Sequence, residues 1–497
     1  MEAQLAELKK QNAKLLEQQE RLLLENRLLQ QKVQLLLKRL FGRKSEKLDS
    51  NQLELILSDL SATPQDDDDP PPQPPRPRRR RGKRKPRMPE DLPTENIVIE
   101  PEEVKRDPEA YSCIGEKVTQ ELDVIPAQYI RRRIIRRKYK SKTDRDRPPL
   151  IAPLPPRLIE GGYASAGLLT DIVLKKYVDH LPLHRQEQIL RTRHGIDLSR
   201  KTMSDWVRVV AEWLKPIYNH IRKELQRTGY LQIDETPVRY CRAEGGGSAQ
   251  GYFWLYHRPG ADVLCEWHTS RAAECLEETL EGFSGTVQCD GYSAYTSFAK
   301  DHDGIELAGC WAHVRRKFID AQEEAPALSG WFLRQIQNLY RIEKELRHLH
   351  GGPKLRQPLR AARSRMILSR IERALKLKLP AHLPKSQMGQ ALSYALGHWQ
   401  QLLRFAEDGR LEIDNNLVEN AIRPTALGKK NWLFIGHPQA GQRSAIIYTL
   451  LANCRRLGIN PREYLRDVLS RLPSMTNKHV IELLPAKWLA TRKQPAA

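Results

Sequence analysis

Leucine falls at every seventh position at Leu8, Leu15, Leu22, Leu29 and Leu36, and this stripe predicts a coiled coil over residues 1–42. The matching a positions are Leu5, Asn12, Gln19, Asn26, Val33 and Leu40. An Asn at such a position costs stability but restricts register and strand number, commonly to two. Leu16, Leu23 and Leu37 widen the stripe, which leaves open a higher oligomer or a single amphipathic helix lying on the protein's own body. The run Phe41–Leu48 closes this zipper region, assigned to 1–60, with a glycine, basic residues and Ser45 as a new N-cap.

Further along, apolar and charged residues alternate at Asn96–Glu100, Glu121–Ile125 and Tyr129–Lys138, predicting a small β-rich module over 91–145. Arg131, Arg132, Arg133, Arg136, Arg137 and Lys138 would give it a dense basic face. The period then turns helical over 146–225. Leu181–Arg185, Gly195 and Ser199–Trp206 resemble a helix-turn-helix, with Ser and Thr capping a second helix that carries Arg200 and Lys201 at its start. Such helix pairs also arise for packing alone.

From residue 229 the pattern shortens to strands. Tyr230–Ile233 reads as a buried strand delivering Asp234, continued by Val238–Cys241; Tyr252–His257 and Val263–Trp267 follow. Arg271–Leu280 has helical spacing, Thr286–Cys289 is a strand ending at Asp290, Ile305–Cys310 is a fifth strand, and Ala312–Asp320 a helix. Three strands, helix, strand, helix or loop, and strand is the order of a ribonuclease-H-like core, with its first part at 226–320. Residues 321–410 carry helical spacing only and read as an insertion; 411–440 returns to the core with a helix containing Glu419, and 441–497 forms a helical tail. The fold class expected is multidomain α+β.

Composition changes this picture in two places. Residues 61–90 run from Asp66–Asp69 through prolines into Arg76–Arg87, too polar to offset their ordering entropy, and are expected to be a disordered linker. Arg78, Arg79 and Arg80 there can contact phosphates without reading sequence, or simply solvate a spacer. Across the chain, 83 Lys and Arg against 61 Asp and Glu leave +22, which favours a polyanionic partner, nucleic acid before an acidic membrane surface. The seven cysteines are scattered without a CxxC pair and read as reduced thiols, not as a disulfide framework. No apolar run suits a bilayer span, and the charged N-terminal helix does not read as a signal peptide, so the expected location is cytoplasmic.

The chemistry centres on three acids. Asp234 and Asp290 end two strands, with Gly291 after the second allowing a sharp turn, and Glu419 rides a helix that begins at Asp414. Carried on three elements of one scaffold, they can converge despite their spacing. Oxygen ligands of this type suit two Mg²⁺ or Mn²⁺ ions and an in-line phosphoryl transfer, and not zinc. Basic residues follow the third acid: Arg423 one turn on, then Lys429 and Lys430. Trp432 and Phe434 pack in the core or stack on an unpaired base. Trp311, His313, Arg315 and Arg316 follow a central strand and are further candidates for DNA contact, with Arg132, Arg133 and Arg136 in the basic module.

Several motifs together resemble the DDE transposases of the IS-sixty-six (IS66) family of bacterial insertion sequences. They are Leu40–Lys47 after the zipper, Asp234–Pro237, Asp290–Tyr295, Cys310–His313, and the long block from Asp414 to Pro424, running on into Gly428–Phe434. The resemblance covers nearly the whole chain, and the 414–434 block is specific. It implies a ribonuclease-H-like core with Asp234, Asp290 and Glu419 as the triad, a helical insertion before the Glu, and cleavage at element ends with joining of 3′ hydroxyls to target DNA. The partners implied are the element's terminal repeats, target DNA, further copies of the chain through 1–42, and two small accessory proteins of the same element; the location implied is the bacterial nucleoid. One departure stands out. Family members carry paired cysteines near 105–145, whereas this chain has Cys113 alone, with Lys140, Ser141 and Lys142 where a second pair is expected, so no zinc site is expected. Two other functions compete: an inactive DNA-binding protein or repressor, which has no need of all three acids, and a structure-directed nuclease, which the 414–434 block disfavours.

Overall fold

The computed structural model describes Gln18, Gln19, Leu22, Glu109 and residues 128–139, 150–227, 229–242 and 246–493. The coiled coil expected over 1–42, the linker with Arg78, Arg79 and Arg80, and Cys113 lie outside the described residues. Two compact units divide the chain, one of residues 45–151 and one of 1–44 with 152–497. In the former, β1 (Lys138–Tyr139) pairs antiparallel with β2 (Leu150–Ile151). The strand expected over Tyr129–Lys138 is confined to its last residue, and residues 130–139 are all exposed. A strand's alternation needs one face to bury. Three consecutive arginines put like charges on both faces, and adjacent Ile134 and Ile135 break the period.

The larger unit opens with three helices: α1 (Ala166–Tyr177), α2 (Leu183–His194) and α3 (Arg200–Leu225). The expected punctuation is present. Gly195 ends α2 in the left-handed region at φ 63°, and the Ser199 side chain caps α3 by accepting from the Thr202 N–H. Met203, Trp206, Val207, Val210, Leu214, Ile217 and Ile221 recur at helical spacing and are buried. They lay α3 against helix α12 (Pro438–Leu457) and strand β5 (Val263–His268), while Arg200 and Lys201 are exposed at its start.

The sheet follows the path β5, β4 (Ser248–His257), β3 (Tyr230–Cys241), β6 (Gly285–Gln288), β7 (Ile305–Ala308), and β8 (Phe434–Ile435) also pairs β3. Strand β4 runs antiparallel to both β3 and β5; β6 runs parallel to β3 and β7 parallel to β6. Helices α4 (Glu274–Leu280) and α5 (Ser293–Asp301) connect β5 to β6 and β6 to β7. Where two short strands were expected, β3 is continuous through Pro237, so Asp234 lies in mid-strand and not at an end. On the flank away from β4, β6 pairs residues 230–232 and β8 pairs 239–240. Position 237 falls between them, so on that flank its missing N–H costs no ladder bond. At the opposite edge, α12 covers β5. Thr449 Oγ1 accepts from the Cys265 N–H at 2.9 Å, and Asn453 accepts from Val263 N–H at 3.1 Å while donating to its carbonyl at 2.7 Å, so the edge strand's polar groups are not left open to pairing.

The helical stretch expected over 321–410 is helical throughout: α7 (Pro326–His348), α8 (Pro353–Lys378), α9 (Gln387–Gly397) and α10 (Trp399–Glu407). It does not stand apart. Phe332, Ile336, Leu339, Leu368, Leu375, Met388 and Phe405 share one core with Trp311, Val314 and Phe318 of α6 (Trp311–Asp320). Inside it, Arg360 is fully buried and held by Glu343 through two 2.7 Å bonds and by the Phe405 carbonyl. Helices α11 (Asn416–Trp432), α13 (Pro461–Arg471) and α14 (Pro485–Lys493) complete the unit. Among the described residues no helix is long and apolar enough to cross a membrane.

Candidate active site: an acidic cluster at the open flank of the central strand

The parallel pair β3–β6 sets the level of the first two acids. Gln232 and Gln288 stand opposite each other in the register. Asp234 and Asp290 each lie two residues further on, so both leave the pair at one level, just where β6 stops and the flank of β3 opens. Gly291 then turns at φ 86°, with the His398 ring packed so close that a Cβ would meet it at 2.7 Å. The turn is pinned from two sides: Asp290 Oδ1 accepts from the Tyr292 N–H at 2.9 Å, and the Tyr394 hydroxyl donates to the Asp290 carbonyl.

The third acid arrives on the first turn of α11, and a buried polar network sets its height. Gln232 donates through one amide nitrogen to Gln288 Oε1 at 2.9 Å and to the Asp414 carbonyl at 2.9 Å, and its Oε1 faces the Val418 N–H at 3.4 Å. Gln288 donates to the carbonyls of Glu412 at 2.8 Å and Gly309 at 3.1 Å. The Tyr230 hydroxyl donates to Gln288 Oε1 at 2.6 Å and accepts from the Glu412 N–H at 3.0 Å. Both glutamines are wholly buried. Each sits on the same strand face as its aspartate, two residues upstream, and together they join the strands of Asp234 and Asp290 to the segment that leads into Glu419.

The electrostatics follow from this convergence. Burial, then the charges of Glu235, Asp290 and Glu419, push the Asp234 carboxyl well above the usual range, opposed by one bond from the Glu235 N–H. Glu235 occupies the opposite strand face and is a fourth acid that sequence reasoning passed over. Its carboxylate takes hydrogen bonds from Arg271 and from the Tyr295 hydroxyl, and Arg271 lies 3.6 Å over the Tyr292 ring. Burial raises the Glu235 carboxyl despite these partners. The network ties the residue after Asp234 to the helix after Asp290. Its only signal in sequence was the adjacent acid in Asp234–Pro237.

Around Glu419, His313 Nδ1 stands 3.7 Å from Oε1 and Arg316 3.7 Å from Oε2. Glu419 Oε1, His313 Nδ1 and both side-chain polar atoms of wholly buried Asn415 are shielded from solvent without a hydrogen-bond partner. Buried acceptors left open in this way, beside carboxylates that repel one another, fit a divalent cation held by oxygen. Cys310 also lies within reach of His313 and Glu419. Burial pushes its thiol up to about 12, and its soft sulfur suits zinc better than the hard Mg²⁺ or Mn²⁺ that oxygen ligands favour. Burial lowers the His313 pKa against the pull of Glu419, favouring the neutral ring.

The remaining sequence candidates divide. Arg315 and Arg316 on α6 and Arg132, Arg133 and Arg136 in the smaller unit are exposed, as is Arg200 on α3, while Lys201 is exposed and Arg423 and Lys430 stand at the surface of α11. Trp311 is a correction: it is fully buried, its indole donates to the Leu402 carbonyl at 3.0 Å, and it packs against Trp399 and Phe405 in the helical core, so it cannot touch DNA. Lys429 is engaged as well, donating to Thr236 Oγ1 at 3.0 Å and the Pro237 carbonyl at 2.9 Å, because α11 crosses β3 at that point.

Comparison with known proteins gives three family matches. The model described as "Transposase IS66 family" matches residues 161–443, "IS66 C-terminal element" matches 449–486, and "Transposase C of IS166 homeodomain" matches 28–97. Among curated relatives, uncharacterized protein y4jD of Sinorhizobium fredii is 33% identical over 496 residues, covering 93% of this chain and 94% of that protein. Uncharacterized protein y4qI of the same organism is 34% identical over 375 residues, covering 72% and 68%, and y4hP is 28% identical over 502 residues, covering 93% and 88%.

Proposed function

Because this chain belongs to the IS66 family of transposases, we propose that it cuts the DNA ends of an insertion sequence and joins them to target DNA through Asp234, Asp290 and Glu419. The observation that carries the reading is the charge state around Asp234. A carboxylate in the middle of a sheet gathers two more carboxylates from separate elements, with burial and mutual repulsion as the leading influences on it. A purely structural acid is paired off closely, as Glu343 is by Arg360; His313 and Arg316 come no nearer to Glu419 than 3.7 Å, and acids gathered with so little compensation cost stability and imply use.

The sheet order supports a ribonuclease-H-like core: in chain order of its five main strands it reads 3-2-1-4-5, with the first three antiparallel and the last two parallel to the first. Asp234, Asp290 and Glu419 would hold two divalent ions, Mg²⁺ or Mn²⁺, which when bound polarise the attacking and leaving oxygens of an in-line phosphoryl transfer. The chain's own residues do the rest. The Glu235–Arg271 pair holds the Asp290 turn against β3, and the glutamine network holds α11 at the same level. Arg316 beside Glu419, with Arg423 and Lys430 along α11, offers phosphate contacts leading away from the acids. The match to a homeodomain-type model over 28–97 and the capped helix pair α2–α3 support further DNA contacts in the N-terminal half, and the leucine stripe supports assembly of copies through 1–42.

Strand transfer separates this function from that of a nuclease on the same fold. A pre-cut element end with a free 3′ hydroxyl, incubated with the protein, Mg²⁺ and supercoiled plasmid, is expected to become covalently joined to the plasmid. Hydrolysis of the plasmid without joining would refute the transposase reading in favour of the nuclease.

A further inference from the structure

A cavity of about 380 Å³ opens between the α1–α3 helices and the segment that follows α11. Lys176, Ser204, Trp432, Phe434, His437 and Arg443 are among the residues around it, and among the described residues no carboxylate lines it. The Lys176 ammonium has the Tyr177 ring beside it, 5.4 Å from the centroid, and burial with no opposing charge pulls its pKa down to about 8. His437 is the N-cap of α12, so the positive end of a 20-residue helix opens on the same space. Such a concentration of positive charge, partly desolvated and uncompensated, calls for an anion.

The other wall is aromatic. Leu433 adopts φ 63° with ψ −46°, close to the strained γ-turn geometry that L residues rarely take. This turn ends α11 and carries Phe434 and Ile435 onto β3, leaving the Phe434 ring 50% exposed beside Trp432. Strain that presents an aromatic face to solvent points to a use for that face.

We propose that this cavity takes one unpaired nucleotide of a DNA strand, its phosphate on Lys176 and Arg443 and its base against Trp432 and Phe434. The inference rests on the DNA-handling function proposed above and adds a place where a strand is gripped by base and phosphate together. A paired base hides its ring faces in the stack, so only an unpaired one can use the aromatic wall. The cavity volume is of the size that holds one small ligand. Measured along α11, Trp432 lies about 20 Å from Glu419, so the nucleotide held is not the one whose phosphate reacts.

The test is a fluorescence titration of the full-length protein in metal-free buffer. The probe is a twelve-residue oligodeoxythymidylate with 2-aminopurine at its centre, whose emission is quenched on stacking. Wild type is expected to bind and quench it. Lys176→Gln and Phe434→Ala are each expected to weaken binding about tenfold, with Phe434→Ala also losing the quench. Lys487→Gln, an exposed charge on α14, is expected to change it less than twofold. A blunt duplex should respond to none of the aromatic changes. Phe434→Ala removes a half-exposed ring, and an unchanged melting curve checks that the fold survives. If Lys176→Gln and Phe434→Ala bind and quench like wild type, the proposal is wrong; if free dTMP binds as tightly as the oligonucleotide, the assignment to a DNA strand is wrong. Because no metal and no cleavage enter the assay, loss of the catalytic reading would leave its outcome unchanged.

Discussion

Asp234 carries the sharpest consequence at the scale of single residues. Its folded pKa lies above its unfolded value, because burial and neighbouring carboxylates disfavour the charged form. A group of that kind contributes stability fully at pH below its unfolded pKa and loses it as pH rises through the folded pKa. Without metal, ionisation of this group therefore works against the fold. Asp234→Asn is expected to raise the melting temperature by about 2 °C at pH 7.5 in chelator while abolishing DNA cleavage, and the difference should shrink towards pH 4. Added Mn²⁺ should stabilise wild type and leave the variant unmoved, which differential scanning fluorimetry reads directly. The three acids stood out in the sequence through the motifs Asp234–Pro237, Asp290–Tyr295 and the 414–434 block, although Asp234 lies in mid-strand and not at the strand end expected. Glu235 did not: alternation places neighbours on opposite faces, and nothing local says that Arg271, 36 residues away, will neutralise it. Trp311 misled for a related reason, since Cys310–His313 sits beside basic residues, but its ring is consumed by a core built from the distant α10.

Between elements, register does the positioning. Gln232 and Gln288 meet because β3 and β6 pair in parallel with those residues opposed, and the bonds they send to Asp414 and Glu412 fix where α11 begins. Gln232→Leu would leave the Asp414 carbonyl and the Val418 N–H short of a partner, each costing about 1–3 kcal/mol. The expected kinetic result is a fall in kcat of about tenfold or more with KM for DNA unchanged, because the acids shift while the phosphate contacts do not. A fall in DNA affinity with kcat intact would argue against the positioning role. In the helical stretch, Arg360→Met leaves buried Glu343 with the longer 3.3 Å contact from Arg356 and is expected to cost about 3 kcal/mol in urea unfolding. The order of strands and helices was readable from period changes, down to the punctuation at Gly195 and Ser199. Continuity of β3 through Pro237 was not, because a proline's tolerance depends on which neighbouring strand is absent beside it. Nor was the fusion of α7–α10 with α6 into one core, because helical periodicity reveals an apolar face without naming its partner.

At the scale of the whole molecule, the proposed function gives a formal charge of +22 and the acidic cluster complementary roles, the surface to gather a polyanion and the cluster to act on it. DNA affinity should therefore fall steeply with salt. Arg423→Gln should reduce the slope of log K against log salt by about 1 without changing sequence preference, as filter binding across a salt series would show. The measurement that tests the central claim most directly is Mg²⁺-dependent nicking of a labelled element-end duplex by wild type, Asp290→Asn and Glu419→Gln, with binding of the same duplex measured alongside. Nicking by wild type and its loss in both variants, with binding retained in all three, is the result expected of the three-acid site. Equal nicking by the variants, or tight binding by wild type with no chemistry in either Mg²⁺ or Mn²⁺, would contradict it.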